Sequence, residues 1–228
     1  MGNTLNTYIL LSAKPWHNSI FDLLQKSIDA NWVRIENKAD FTQENLLKLN
    51  PTKIFIPHWS EIIPETIYNQ YECIVFHMTD LPYGRGGSPL QNLIVRGHTK
   101  TIISAIKVEK GIDTGDVYLK QPLSLEGTAT DIFKRAADII EKMIVEIITK
   151  NPVSKKQEGE PVVFKRRKAE ESNINNLENI KEVYDYIRML DCEGYPNAYI
   201  ETPFFKIEFS NAAINDNEIN AHVRITKK

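Results

Sequence analysis

The sequence predicts an α/β protein with a Rossmann-like, mostly parallel sheet and flanking helices, followed by a small C-terminal α+β appendage. Over the first two thirds of the chain, short apolar runs alternate with amphipathic helical segments, a pattern typical of parallel strands joined by crossover helices. After a polar, proline-bounded stretch at 151–161, the pattern changes to one helix and several short alternating strands. We therefore predict a main domain over 1–152 and a C-terminal subdomain over 153–228.

Each predicted element has its own signal. Four apolar runs predict the first strands, at 7–11, 32–35, 53–57 and 73–77. Helices between them begin at Asn18 and at Thr42, which serves as a cap, and a helical turn precedes the fourth strand. Beyond a glycine-rich loop we expect a helix over 90–95, a strand over 101–108, an extended segment over 117–125 and a long helix over 128–149. The appendage consists of a helix over 178–190 and short antiparallel strands.

Composition limits the class of protein. The chain has 228 residues, a formal net charge of -2 and two cysteines that are far apart in sequence, so we expect reduced thiols and no strong attraction to nucleic acid. No apolar run reaches the length of a bilayer span, and no signal-peptide pattern opens the chain. We expect a cytoplasmic protein without a membrane partner.

The functional site is predicted in the stretch CIVFHMTDLPYGRGGSP, from Cys73 to Pro89. An apolar run brings His77 to the end of a buried strand, and a loop rich in proline and glycine follows. In α/β proteins such strand ends bind ligands, just outside the carboxyl edge of the sheet. Downstream, Asp113 lies in the segment GIDTGD, after the next strong strand.

His77 and Asp113 are our candidate catalytic pair. A carboxylate beside an imidazole favours the charged ring and fixes its tautomer, which suits general acid–base catalysis. A purely structural alternative stands beside this interpretation, with His77 as a hydrogen-bonded strand-end residue and Asp113 as a turn residue.

The glycine-rich loop has two interpretations. It is either an anion-binding nest with Arg85 nearby or a wall that lets a ligand approach the backbone. It matches neither the GxxxxGK[ST] nor the GxGxxG pattern, so the usual phosphate-binding loops are not indicated. The five histidines lack metal-ligand spacing, and no serine or cysteine nucleophile motif occurs, so we predict no metal.

The order of these motifs resembles the folate-dependent formyltransferases, which include sugar N-formyltransferases and methionyl-tRNA formyltransferase. In that family a strand-end histidine opens a HxSxLPxxRGxxP signature, and DTGD follows. Here the signature is HMTDLPYGRGGSP, with Thr79 in place of serine, and Asp113 begins DTGD. The later segment FKRRKAEES…IRMLDCEGYPNAYIE is similar to the one that follows the family's catalytic domain. The resemblance implies that 1–152 is a formyltransferase catalytic domain and that 153–228 is a subdomain suited to dimerisation.

The resemblance also implies the site residues. His77 and Asp113 match two members of the family's catalytic Asn, His and Asp trio. The cofactor pocket is implied near the loop before DTGD, at Val108, Glu109, Lys110, Gly111 and Ile112. Substrate binding is implied for the signature loop, at Thr79, Tyr83, Arg85, Gly86 and Gly87.

One position departs from the family pattern. The family's asparagine stands two residues before the histidine, where this chain has Val75, which cannot donate a hydrogen bond. Losing one oxyanion donor typically costs about a hundredfold in turnover. Another donor therefore substitutes, the reaction is slower, or catalysis is lost. By side-chain chemistry Gln91 and Asn92 are candidates, and we include Asn92 in the predicted catalytic set.

The implied reaction is formyl transfer from 10-formyltetrahydrofolate, a co-substrate, to an amine. Because the chain is mildly acidic and its tail is short, we do not expect a nucleic acid as the acceptor. The resemblance then implies a nucleotide-linked amino sugar as the acceptor, and it implies a homodimer, since small sugar formyltransferases dimerise through the region after the catalytic domain. The alternatives are methionyl-tRNA or glycinamide ribonucleotide as acceptor, and a catalytically impaired homologue that only binds folate or a sugar nucleotide.

Overall fold

The protein is described by a computed structural model over residues 5–228, and its elements alternate as the sequence predicts. In chain order they are β1 (Thr7–Leu11), α1 (Asn18–Ser27), β2 (Asn31–Ile35), α2 (Gln43–Leu49), β3 (Lys53–Ile56), α3 (Glu65–Tyr68), β4 (Glu72–His77), β5 (Tyr83–Gly86), α4 (Pro89–Val95), β6 (Lys100–Lys107), β7 (Val117–Ser124), α5 (Ala129–Lys150), β8 (Val162–Phe164), α6 (Ile180–Arg188), β9 (Ala198–Glu201), β10 (Phe205–Ile214) and β11 (Ile219–Lys227). The predicted fold class is confirmed.

A six-stranded sheet in the order β2-β1-β3-β4-β6-β7 forms the main architecture. The first four of these strands run parallel, and β6 joins β4 antiparallel. The central strands β1 and β3 are apolar almost throughout because both faces of the sheet are covered. The parallel strands all end at one edge, and His77 is the last residue of β4.

Local signals set the helix boundaries. Helix α2 begins after Thr42, whose hydroxyl accepts a hydrogen bond from the Asn45 backbone at 3.3 Å, and it ends at Asn50 with φ at +44°. Helix α5 begins with a reciprocal cap, in which the Thr128 N–H donates to the Asp131 carboxylate and the Asp131 N–H donates to the Thr128 hydroxyl. The Thr42 cap was predicted from the sequence and is confirmed.

The glycine-rich loop contains a short strand that the sequence analysis did not predict. Strand β5 pairs with β8 in a two-stranded sheet. Next to its start, the Val162 N–H donates to the carbonyl of Pro82, the residue before β5, at 3.2 Å. The sequence predicts only a loop here, and the strand forms because an element this short needs only one partner and tolerates residues at its ends that cannot donate.

By compactness the chain forms two units, each built from several segments. One contains the chain up to Arg85 together with Ile102–Leu123 and Lys134–Val163, and the other contains Gly86–Thr101, Ser124–Phe133 and Phe164–Lys228. The second unit holds the antiparallel sheet β11-β10-β9 and α6. The predicted division at 152 and 153 remains a prediction about domains.

Cys73 and Cys192 are both buried free thiols, and burial followed by the nearby Glu72 charge raises the pKa of Cys73 to about 12. At that pKa, Cys73 carries no thiolate at neutral pH.

Among residues 5–228, no helix has the length and apolar character that a bilayer crossing requires.

Candidate active site

His77 lies at the end of β4 with its ring enclosed by the turn that follows. The side chain is buried, with 7% of the residue exposed, and its Nε2 lies 2.8 Å from the Gly84 carbonyl oxygen. The Thr79 hydroxyl donates to the same carbonyl at 3.3 Å. A carbonyl can only accept, so the ring's Nε2 carries a proton in this arrangement.

Asp113 lies beside the other ring nitrogen. Its Oδ2 is 3.5 Å from His77 Nδ1, and both side chains are largely shielded from solvent. Each nitrogen of the ring therefore faces an acceptor oxygen, a carbonyl on one side and a carboxylate on the other. This environment is complementary to the imidazolium, which has an N–H on both sides. The predicted approach of these two residues is observed.

The Asp113 carboxylate is presented by a tightly constrained loop. Asp113 has φ at +53° and Gly111 has φ at +107°, so two residues of the segment are left-handed. The Lys107 N–H donates to the Asp116 carbonyl at 2.9 Å, which closes the loop at the start of β7. A Cβ added to Gly115 would lie 1.8 Å from the Lys107 carbonyl oxygen, so only glycine fits there.

We therefore expect Gly115→Ala to destabilise the protein by about 3 kcal/mol, because backbone must move to relieve the clash. Chemical denaturation measures this loss. Gly97→Ala is the matched control, since Gly97 has φ at +78° but open space around its Cβ position. Its cost should be only the left-handed strain, about 1 kcal/mol. Equal losses in the two variants would show that the contact with Lys107 carries no special constraint.

The predicted substrate residues make contacts inside the protein. Thr79 is fully buried, and its carbonyl accepts from the Ser104 hydroxyl at 2.8 Å. Arg85 donates from Nη2 and Nε to Gln157 Oε1, at 2.7 and 3.1 Å. Tyr83 lines a polar cleft of about 250 Å³. Thr79 and Arg85 therefore hold neighbouring parts of the chain together through hydrogen bonds. Substrate binding by the three residues stays a prediction.

Gly86 and Gly87 lie in the second unit, where backbone space is limited. A Cβ on Gly86 would lie 2.4 Å from the Phe164 carbonyl oxygen, and one on Gly87 would lie 2.6 Å from the Arg166 Cβ. The glycines thus permit close packing of residues 164–166 against this loop. Their predicted contact with a substrate stays a prediction.

The segment predicted to bind the cofactor leads directly to Asp113. Val108 packs on the core, and its N–H donates to the Cys73 carbonyl at 2.8 Å. Glu109, Lys110 and Gly111 are exposed, and the apolar side chain of Ile112 is 63% exposed. Ile112 thus presents an exposed apolar side chain next to Asp113, and the cofactor-binding role of the segment remains a prediction.

Asn92, proposed from sequence as a substitute oxyanion donor, is engaged within the second unit. Its Nδ2 lies within hydrogen-bond distance of the carbonyl oxygens of Gly87, Ser88 and Lys165, at 2.9 to 3.1 Å. Its Oδ1 accepts from Arg96 at 2.8 Å. Gln91 likewise donates to the Met189 carbonyl at 3.1 Å. These contacts show that the Asn92 amide holds the glycine-rich loop in place. They do not support a catalytic role for Asn92, which stays a prediction.

A residue that sequence reasoning missed is Gln157. It lies in the polar stretch read as a boundary, yet its Nε2 donates to the carbonyls of Asp113 and Gly115, at 2.8 and 2.9 Å. A glutamine among charged residues and prolines gives no sequence signal. Among the described residues, no group of three His, Cys, Asp or Glu side chains is placed to hold a metal ion.

A second pair of histidines lies after β1 and β3. His17 is only 2% exposed, and its Nδ1 is 2.7 Å from the Ser12 hydroxyl. Burial, helped by the charges of His58, Arg34 and Lys14, lowers the pKa of His17 to about 3. Burial and Lys14 lower the pKa of His58 to about 4.

These pKa values predict acid sensitivity. A lowered pKa in the folded state means that the unfolded chain binds the proton more tightly. The contribution of neutral His17 to the free energy of unfolding is therefore fully present above the ordinary pKa of 6.5, and it is lost as pH falls toward 3. Between pH 7 and pH 5, His17 should account for a loss of about 2 kcal/mol. Urea unfolding of wild type and His17→Gln measures it, with exposed His222→Gln as control, and equal pH slopes in wild type and His17→Gln would contradict the prediction.

Comparison with known proteins places this geometry in context. The family model described as "Formyl transferase" matches residues 17–148, and "Methionyl-tRNA formyltransferase, C-terminal domain" matches residues 169–226. The chain is similar to a solved methionyl-tRNA formyltransferase from Clostridium thermocellum, with 49% identity, a TM-score of 0.96, and coverage of 98% of this chain and 100% of that one.

Curated relatives carry the same name. Methionyl-tRNA formyltransferase of Rickettsia massiliae is 29% identical over 159 residues, which are 67% of this chain and 52% of the relative. That of Caldanaerobacter subterraneus is 31% identical over 138 residues, which are 60% of this chain and 43% of the relative. The chain thus spans about half the length of the curated relatives it matches. HypX from Aquifex aeolicus, solved in complex with tetrahydrofolic acid, shares the fold, with a TM-score of 0.75. It is 14% identical, and the match covers 92% of this chain and 38% of HypX.

The comparisons overturn the predicted partner. We expected an amino-sugar nucleotide and no nucleic acid, whereas these relatives are named for methionyl-tRNA. The prediction was wrong because it relied on the net charge of -2, which averages over the whole chain. Lys165, Arg166 and Lys168 lie exposed within four consecutive residues, and a net charge does not report such a local concentration of positive charge.

Proposed function

The chain belongs to the formyl transferase family, and from that membership we propose that it transfers a formyl group from 10-formyltetrahydrofolate to the α-amine of methionyl-tRNA. The observation that carries the reaction is the approach of the buried His77 and the largely shielded Asp113, whose Nδ1 and Oδ2 atoms are 3.5 Å apart. The acceptor is supported by the name of the 49% identical structure, which this chain covers completely.

The reaction needs a group that handles one proton and one developing negative charge. The amine nitrogen bonds to the formyl carbon, the bond from that carbon to the folate nitrogen breaks, and a proton passes from the amine to the leaving nitrogen. In the tetrahedral intermediate the formyl oxygen carries the charge. His77 acts on these proton positions, and the Asp113 carboxylate stabilises the ring while it is an imidazolium.

The co-substrate is proposed to bind along 108–112. The exposed Ile112 offers an apolar contact immediately before Asp113, and the exposed backbone of 109–111 offers hydrogen-bonding groups. 10-Formyltetrahydrofolate supplies the activated formyl group, and this chain supplies its placement beside His77.

The acceptor is proposed to contact the exposed cluster of Lys165, Arg166 and Lys168. Phosphate contacts by lysine and arginine release counterions, so binding weakens as salt concentration rises. A contribution of about two or three phosphates should give a measurable slope of affinity against salt, which neither free methionine nor a neutral amine would show.

The test is an assay of the purified chain with 10-formyltetrahydrofolate and methionyl-tRNA, followed by detection of formylmethionine after release from the tRNA. Free methionine and uncharged tRNA are the controls. We expect product only with methionyl-tRNA, at a rate that falls with added salt. Absence of product from an otherwise folded, folate-binding protein would show that the proposed acceptor is wrong.

A further inference from the structure

The ring of His77 is held between two separate loops, and one side chain joins them. The Gly84 carbonyl faces Nε2 and belongs to the signature turn, while Asp113 faces Nδ1 and belongs to the DTGD loop. Gln157 contacts both loops. Its oxygen accepts two hydrogen bonds from Arg85, next to Gly84, and its nitrogen donates to the carbonyls of Asp113 and Gly115.

We propose that Gln157 is a positioning residue that sets the distance between His77 and Asp113. This inference rests on the proposed function for its kinetic test only. All four hydrogen-bonding positions used by the amide have partners, at 2.7 to 3.1 Å. A primary amide is suited to this bridge, because it accepts on one side and donates on the other.

The backbone at Asp113 explains why such a bridge is needed. Asp113 is left-handed, with φ at +53°, a conformation that is less favourable for a residue with a Cβ than the right-handed one and that neighbouring hydrogen bonds help to hold. The two hydrogen bonds from Gln157 lie on the Asp113 carbonyl itself and on the carbonyl two residues later. They fix the peptide groups that direct the carboxylate toward the ring.

Gln157 is in turn fixed by its own segment. Two residues earlier, Lys155 forms an antiparallel bridge with Val117, with N–H to carbonyl distances of 2.7 and 2.9 Å. Val117 follows the DTGD loop directly, at the first position of β7. The polar stretch after α5 therefore returns to the site and is anchored next to the loop that Gln157 supports.

Gln157→Ala and Gln157→Glu separate the two halves of the bridge. The alanine removes every contact, while the glutamate keeps an oxygen for Arg85 and places a second acceptor against two carbonyls. We expect both variants to lower kcat by about ten- to a hundredfold with the KM for folate nearly unchanged, because displacement of a catalytic group acts mainly on turnover. Glu158→Gln, at the exposed neighbouring position, is the matched control.

Combination with Asp113→Asn tests whether Gln157 acts through that carboxylate. If Gln157 acts through Asp113, Gln157→Ala should change kcat by less than about twofold in the Asp113→Asn background, because the effects of coupled residues on kcat are not additive. Full additivity of the two losses, or wild-type kcat in both Gln157 variants, would overturn the proposal. Thermal unfolding of each variant identifies losses that reflect instability alone.

The imidazole ¹⁵N resonances of His77 provide a readout that needs no acceptor. At fixed pH, Gln157→Ala should move them in the same direction as Asp113→Asn does, with His77→Gln used for assignment. Unmoved resonances in Gln157→Ala would overturn the positioning role even if methionyl-tRNA is formylated. Moved resonances in a protein that formylates no methionyl-tRNA would uphold it while the proposed function fails.

Discussion

Replacing His77 by asparagine is expected to lower kcat for formyl transfer by about a thousandfold, which is the contribution typical of a positioned acid–base group. The imidazole is the titratable side chain that faces Asp113, at 3.5 Å, and asparagine cannot exchange a proton at neutral pH. An asparagine amide is still able to donate toward the buried carbonyl environment that the ring occupies, so the fold should survive. Steady-state kinetics with both substrates, together with thermal unfolding, measures the two effects.

His222→Asn is the matched control, since His222 is exposed on β11 in the second unit. It should retain the wild-type rate. If His77→Asn were folded and kept a rate within tenfold of wild type, His77 would have no acid–base role, and the reaction would have to depend on other groups.

Introducing the family's asparagine at Val75 is expected to raise kcat by about ten- to a hundredfold. Val75 and His77 are two residues apart on β4, so their side chains point to the same face of the sheet. The Nδ2 of Asn92, the substitute considered from sequence, lies within hydrogen-bond distance of three backbone carbonyls in the second unit. A new amide at position 75 would supply a donor for the formyl oxygen where the chain now has an isopropyl group.

The same substitution should cost stability. Val75 packs against the apolar core cluster beside β4, and a polar amide there loses about 1 to 3 kcal/mol unless it finds a partner. Val75→Ala controls for the change of volume and should not raise kcat. A folded Val75→Asn protein with unchanged or lower kcat would show that the wild type already stabilises the oxyanion by another donor.

The approach of His77 and Asp113 could be predicted because its signals are local. The signals are an apolar strand that ends in His77 and a DTGD turn after the next strong strand. In the structure β6 is the neighbour of β4 but runs antiparallel, so its last residue Lys107 pairs with Ile74, and the loop after β6 carries Asp113 to His77. The direction of β6 could not be predicted, because apolar strands that are buried on both faces look alike whether parallel or antiparallel.

Other features depend on contacts between distant parts of the chain. Strand β5 exists only because β8, far along the sequence, pairs with it. The bridge of Gln157 depends on the path of the chain after α5, which composition does not encode. The expected partner was wrong because it was inferred from the total charge, although the run KRRK at 165–168 is visible in the sequence.

The return of residues 155–157 to the loop before β7 affects how the protein can be shortened. A recombinant fragment that stops at residue 152, where composition changes, would retain His77 and Asp113 but lack the amide that ties their loops together. A minimal catalytic fragment therefore has to be extended at least through the segment that ends with Val163, the last residue of the first compact unit.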